Sequence, residues 1–216
     1  MRQITISKTP LRVSLIGGGS DLSASIDKYI YITVHKRYDD LIRVSYSKCE
    51  LLKDINNMKH ELVRESLKFM NIKKGIELTS ISDLTAHGTG LGSSSAYTVG
   101  VLNALSNFKN KKCSKFNLAN DASNIEINIC GSPIGYQDQF ACAFGGMNEI
   151  IFTEKSIDVI PINIKTEALE KLSKNLLLFD TGIKRSSSII LKKQQSAYKN
   201  SKFKTTTELV NLVPEV

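Results

Sequence analysis

The chain has 216 residues, a formal net charge of +8 and 41% hydrophobic content, which is room for one full domain plus part of a second. No apolar run approaches the roughly 20 residues needed to span a bilayer, and Met1-Arg-Gln-Ile-Thr-Ile6 lacks the apolar core of a signal peptide, so the expected location is the cytoplasm, with no membrane partner. Cys49, Cys113, Cys130 and Cys142 form no C-x-x-C pair, and the lysines near residues 109–115 and 192–204 are not interleaved with aromatics; neither a zinc site, a disulfide framework nor a nucleic-acid platform is indicated.

Residues 2–7 and 11–16 read as short strands separated by Pro10 and stopped by Gly17-Gly-Gly19, with Asp21 following at once. Arg12 is a basic residue inside an otherwise apolar strand, which is costly unless it meets an anion or faces solvent; Lys8 carries the same ambiguity. The segments 29–34 and 41–46 read as strands joined through Tyr38-Asp-Asp40 into a hairpin. Residues 57–70 place apolar side chains at helical spacing, Gly75 closes that helix, and residues 76–81 form another strand.

Next comes His87-Gly-Thr-Gly-Leu-Gly-Ser-Ser-Ser-Ala96, with three glycines at alternate positions and three hydroxyls at the start of an apolar helical run. Glycines let backbone N–H groups approach a ligand with no Cβ in the way, and a helix start aims unpaired N–H groups and the helix dipole at an anion. No lysine follows Gly92, and the spacing is G-x-G-x-G, so neither a Walker A loop nor a dinucleotide fingerprint fits. The loop reads as a phosphate cradle, against the alternative of a glycine-rich turn with a serine cap.

Residues 115–129 read as one helix whose apolar stripe runs through Leu118, Ala122, Ile125 and Ile129, with Glu126 just off it. After the turn Gly131-Ser-Pro-Ile-Gly135, residues 136–144 form a short helix, followed by strands over 147–152 and 157–162. A helix near 165–174, a buried strand over 176–179 and a polar helical tail from Ser186 complete the chain. The pattern is mixed α/β (α+β) with much antiparallel sheet. The turn at 131–135 can bring Glu126 and Asp138 toward one place, and two carboxylates beside a Gly/Ser loop suit phosphoryl transfer: one to hold Mg²⁺, the other to orient or deprotonate a hydroxyl. The alternative leaves Glu126 on a solvated face and Asp138 as a first-turn residue helped by the helix dipole. Lys184 and Arg185, at a strand end, form a basic pair suited to an anionic group.

Taken in order, Thr9-Pro-Leu-Arg-Val-Ser-Leu-Ile-Gly-Gly-Gly-Ser-Asp-Leu22, Gly88-Thr-Gly-Leu-Gly-Ser-Ser-Ser-Ala96 and Gly131-Ser-Pro-Ile-Gly-Tyr-Gln-Asp-Gln-Phe140 resemble the GHMP small-molecule kinases, and look most like their D-glycero-D-manno-heptose 7-phosphate kinase branch. The resemblance implies a ribosomal S5 domain 2-like N-terminal domain over 1–165, followed by an incomplete C-terminal, ferredoxin-like GHMP kinase domain over 166–216. It implies ATP held by Gly88, Gly90, Leu91, Gly92, Ser93, Ser94 and Ser95, Mg²⁺ on Ser94 and Glu126, and Asp138 as catalytic carboxylate with Arg12 as its cationic neighbour. Gly18, Gly19, Asp21, Lys184 and Arg185 would meet the sugar and its phosphate. The implied reaction is phosphorylation of a heptose 7-phosphate at its anomeric hydroxyl, for nucleotide-activated heptose. Another sugar such as fucose, or a non-catalytic remnant, are the alternatives; a homo-oligomer or a complementing C-terminal fragment are the macromolecular partners the resemblance suggests.

Overall fold

The structure, a computed structural model, describes residues 3–17, 20–84 and 89–179. Seven strands form one mixed sheet in the order β4-β3-β5-β2-β6-β7, with β1 paired to β2. They are β1 (Ile4–Gly17), β2 (Ser20–Lys36), β3 (Ile42–Ser45), β4 (Cys49–Leu52), β5 (Ile76–Ser82), β6 (Met147–Phe152) and β7 (Ile157–Pro161). The long strand β2 organises the sheet. Its first part, from Ser20 to Ala24, runs antiparallel to β6, and its last part, from Ile30 to Lys36, runs antiparallel to β5. Alternation along the latter turns Ile30, Ile32 and Val34 into the core.

Where two strands broken at Pro10 were expected, β1 is continuous, and the proline sits at an irregularity instead. Register against β2 shifts between Pro10 and Arg12, a placement that suits a residue with no N–H to give the ladder. The shift breaks strict alternation, so Leu11 and Arg12 are both buried although they are adjacent. A bulge thus re-aims the arginine toward the interior.

The expected hairpin between residues 29–34 and 41–46 does not form. β5 lies between β2 and β3, antiparallel to the first and parallel to the second. Tyr38-Asp-Asp40 is a corner rather than a tight turn: Arg37 reaches Asp39 at 2.7 and 2.6 Å and Glu77 at 2.9 Å, while the N–H groups of Gly75 and Ile76 donate to the Leu41 carbonyl. The apolar alternation of Ile76 and Leu78 then fills the space beside Ile32 and Val34.

Four helices, α1 (Glu61–Phe69), α2 (Ser93–Phe108), α3 (Lys115–Ser123) and α4 (Gln137–Phe144), build the layer against the sheet. α2 is apolar nearly all round and is buried along most of its length, as expected of a central helix; the Ser7 hydroxyl donates to the Gly100 carbonyl at 2.7 Å, tying it to β1. Its Ala96, Val101, Leu105 and Phe108 share one core with Leu11, Ile32, Val34, Leu67 and Leu78, each large aliphatic contributing about 1.5–3 kcal/mol on burial.

The helix expected over 115–129 is in two parts. α3 ends at Ser123 and a π turn spans Asn124–Ile129, with the Cys130 N–H donating to the Ile125 carbonyl five residues back. The wider turn changes which side faces inward, so Glu126 is fully buried and Ile129 is exposed. Such turns recur at functional sites. Further on, α5 (Thr166–Asn175) buries none of its residues. Residues 176–179, expected as a buried strand, are irregular, with Leu177 and Phe179 more than three-quarters exposed; no strand among the described residues pairs with them, and an unpaired strand has no ladder to hold it.

Candidate functional site

Three segments meet at the mouth of α2: the bulged stretch of β1, the loop ending at Gly92, and the first turn of α4. Gly90 and Gly92 both have positive φ, +72° and +71°; Gly92 is the N-cap of α2 and supplies no side-chain cap. The first intrahelical bond is from the Ala96 N–H to the Gly92 carbonyl, so the N–H groups of Ser93, Ser94 and Ser95 stand at the open end of the helix, where the dipole favours an anion. The loop is anchored to β1: the Arg12 N–H donates to the Leu91 carbonyl at 3.1 Å and its Nη1 to the Gly90 carbonyl at 2.8 Å.

The same guanidinium holds Asp138. Its Nε and Nη2 donate to Oδ1 of Asp138 at 3.1 and 2.5 Å, and the carboxylate keeps about a third of its surface exposed. The cost of a buried guanidinium is thereby met by an anion and a carbonyl. A cavity of about 490 Å³ opens here, lined by Arg12, Val13, Ser14, Gly17, Gly90, Leu91 and Gln137.

Behind the loop, Glu126 accepts hydrogen bonds from the hydroxyls of Ser94 at 2.8 Å, Ser95 at 2.7 Å and Thr98 at 3.1 Å, and from the amide of Gln139. Burial pushes its carboxyl above the ordinary value, and the Ser95, Ser94, Gln139 and Thr98 donors pull it part of the way back. Ser94 is exposed at the mouth, so its hydroxyl bridges the solvent side and the buried carboxylate.

Asp21 lies beside the same cavity, bound to two of the residues that line it. It is 1% exposed and does not line the cavity; it accepts from the Ser14 hydroxyl and the Gln137 amide, each at 2.5 Å, and from the Ser23 hydroxyl. Burial raises its carboxyl, with Ser14, Ser23 and Arg12 opposing and Asp138 reinforcing the rise. Asp21 thus holds two of the residues that line the cavity, Ser14 and Gln137. Gly18, Gly19, Gly88, Lys184 and Arg185 lie outside the described residues.

The site therefore brings together Arg12, Asp138, Gly90, Leu91, Gly92, Ser93, Ser94, Ser95 and Glu126. It also contains Ser14, Thr98, Gln137 and Gln139, to which the residue-by-residue reading assigned no role. Consecutive residues of a helix project about 100° apart, so the first turn of α4 sends Gln137 to Asp21, Asp138 to Arg12 and Gln139 to Glu126. Amides flanking an acid at a helix start were the available signal.

Residues 53–146 match the GHMP kinases N terminal domain. The chain is 31% identical over 211 residues to the D-glycero-alpha-D-manno-heptose 7-phosphate kinase of Campylobacter jejuni, a match covering 83% of this chain and 60% of that protein. It is 30% identical over 205 residues to the galactokinase of Pyrococcus furiosus, covering 86% of this chain and 55% of that protein. Among solved structures, a D-glycero-D-manno-heptose 1-phosphate kinase from Bacteriodes thetaiotaomicron superposes with a TM-score of 0.70 at 24% identity, over 78% of this chain and 63% of that one. The chain thus spans between half and two thirds of the length of these relatives. The glycine-capped central helix and the acid-bearing α4 both fall within the stretch, residues 53–146, that matches the GHMP kinases N terminal domain, the family this chain is similar to.

Proposed function

We propose that the protein is an ATP-dependent sugar kinase that transfers the terminal phosphoryl group to the anomeric hydroxyl of a heptose 7-phosphate. The observation that carries this reading is that Arg12 holds both Asp138, at 2.5 Å, and the Gly90 carbonyl of the loop leading into the open N-terminus of α2, at 2.8 Å, beside a cavity that Arg12, Gly90 and Leu91 help to line. The heptose comes from the similarity to the Campylobacter jejuni enzyme. In the proposed reaction the N–H groups of Ser93–Ser95 hold the nucleotide's phosphates and Asp138 orients the acceptor hydroxyl and takes its proton. The hydroxyl oxygen bonds to the terminal phosphorus, whose bond to the bridging oxygen breaks to release ADP. Arg12 fixes the carboxylate and offsets charge on the transferring group.

Mg²⁺ fits the oxygens present. The Ser94 hydroxyl and Oε1 of Glu126 are 2.8 Å apart, and no group of three acidic, histidine or cysteine side chains among the described residues forms a metal cage by itself. One carboxylate and a hydroxyl, completed by phosphate oxygens and water, is the way Mg²⁺ is usually held. When bound it would neutralise phosphate charge; Ser94 and Glu126 would hold it, and Ser95, Thr98 and Gln139 would hold Glu126.

The test is sugar-dependent ADP release by the 216-residue chain with ATP and Mg²⁺, over heptose 7-phosphate, D-galactose and L-fucose, with the product's phosphate located by ³¹P NMR. Heptose 7-phosphate should give the highest kcat/KM and a phosphate on the anomeric oxygen. A second reading, a hexose as acceptor, is favoured by the 30% identity to galactokinase and predicts the order reversed. ADP release from no sugar would contradict both.

A further inference from the structure

A second cavity, of about 480 Å³, lies between the 3₁₀ turn Ile55–Asn57 and the C-terminal end of α1. Asn71, in the left-handed region at φ +50°, reverses the chain after α1, so that Lys68 and Lys73 line the same cavity as Lys53. The N–H groups of Asn71 and Ile72 donate to the carbonyls of Lys68 and Leu67, both at 2.9 Å, and the helix end is thus closed by its own turn. Ile55 and Ile72 form a buried apolar floor. Against the three lysines stands one acid, Asp54. Its Oδ1 is taken by the backbone N–H and the side-chain amide of Asn56, at 2.9 and 3.0 Å, and Lys68 meets Glu65 at 3.3 Å. Among the described residues Lys53 and Lys73 pair with no acid, and the Asn71 side-chain amide makes no hydrogen bond. Lys74, which does not line the cavity, has Asp40 at 2.7 Å.

We propose that this cavity is a second anion site, which takes a small compound carrying at least two phosphate groups and holds it by Lys53, Lys68 and Lys73, with the Asn71 amide as a neutral donor. Like charges gathered round a concave surface focus their field into it, and an anion there would meet the ammonium groups that the chain itself leaves unpaired. Lysine is a point charge with three rotatable donors, which suits phosphate oxygens without fixing one geometry. The lining holds no aromatic ring, so there is no platform on which a base could stack, and recognition is by charge. The site is separate from the one proposed for catalysis. Lys36 pairs with Ile76, at the start of β5, and its N–H donates to the Gln3 carbonyl, so the end of β5 that follows Lys73 is level with Gln3. Arg12 lies nine residues further along β1, about 30 Å of strand. That is about three Debye lengths at 0.1 M salt, and the two cavities share no lining residue.

The experiment titrates inorganic pyrophosphate, with orthophosphate in parallel, into the ¹⁵N-labelled full chain at low ionic strength and follows the amide chemical shifts. Wild type is compared with the double variant Lys53→Gln/Lys73→Gln and with Lys111→Gln/Lys112→Gln, which removes the same charge from exposed lysines elsewhere. All four positions are exposed, so both variants should melt as wild type does. Pyrophosphate should shift the amides of Asn56, Asn71 and Ile72 in a saturable way and bind there more tightly than orthophosphate. Lys53→Gln/Lys73→Gln should weaken that binding at least about tenfold, the worth of one charge-assisted hydrogen bond, while Lys111→Gln/Lys112→Gln should bind as wild type does. The site is overturned if those three amides do not respond, if Lys53→Gln/Lys73→Gln binds as wild type does, or if orthophosphate binds as tightly. Equal losses in the two double variants overturn it as well, since they mean diffuse surface charge. A response at Ser93–Ser95 reports on the phosphate cradle instead, so this site and the kinase reading stand or fall separately.

Discussion

At the scale of single residues, the site depends on where one guanidinium is held. Arg12 donates to the phosphate loop through Nη1 and to Asp138 through Nε and Nη2, so anything that moves it disturbs both. Gly92 and Gly90 separate two effects that a glycine can have. A Cβ at Gly92 would come within 3.2 Å of Cγ and 3.4 Å of Nε of Arg12, whereas one at Gly90 would meet nothing within 4 Å. Both positions have positive φ, so both alanine variants carry a backbone cost of about 1–2 kcal/mol, visible in urea unfolding. Only Gly92→Ala should also displace the arginine. Steady-state kinetics should show turnover of Gly92→Ala at least about tenfold below that of Gly90→Ala; equal losses would mean that contact with Arg12 is not what Gly92 protects.

At the scale of elements, the entry to α1 is held by a side chain of a neighbouring strand. His60 is its N-cap residue and supplies no side-chain cap; the approach to the helix is fixed instead by Glu50 on β4, which accepts from the N–H of Lys59 at 2.7 Å and of His60 at 3.1 Å, and from the Tyr46 hydroxyl at 3.0 Å. Burial raises the Glu50 carboxyl, but the Lys59, Tyr46 and His60 donors together outweigh it and hold the group below the usual carboxylate value. A depressed carboxyl stabilises the fold above the unfolded chain's value, near 4.5, and that contribution is lost as pH falls through the folded value. Glu50→Gln should therefore melt about 2–4 °C below wild type at pH 7, the equivalent of about 1 kcal/mol in a chain of this size, and the gap should close below about pH 4.5. A gap that widened on acidification would contradict the sign.

How far the elements were legible depended on what each left in the amino-acid order. The helix start at Ser93, the acid at 138 and the arginine at 12 stand out because charge or glycine sits where periodicity predicts neither. The pairing of β5 between β2 and β3 leaves no such mark, since Tyr38-Asp-Asp40 has turn composition whether the chain folds back or swings away. The π turn was hidden because a stripe drawn at 3.6 residues per turn carries Ile129 inward and leaves Glu126 beside it, and only the four donors waiting at Glu126 reverse that choice. Gln137 and Gln139 carry no charge, and their value lies in partners 116 and 13 residues away.

For the whole molecule, the sheet and its helices form a frame that ends at β7, after which α5 and residues 176–179 leave Leu169, Leu172, Leu177 and Phe179 at the surface. The proposed chemistry lies within the frame, because β1, the loop leading into α2, and α4 each supply part of one cavity. The most direct test of the account compares wild type with Asp138→Asn in sugar-dependent ADP release, beside calorimetry of ATP binding. The account predicts a loss of about 10²–10⁴ in kcat with ATP affinity kept, because the phosphate cradle of Gly92 and Ser93–Ser95 does not include the carboxylate. Turnover by Asp138→Asn at the wild-type rate would contradict the central role given to that residue.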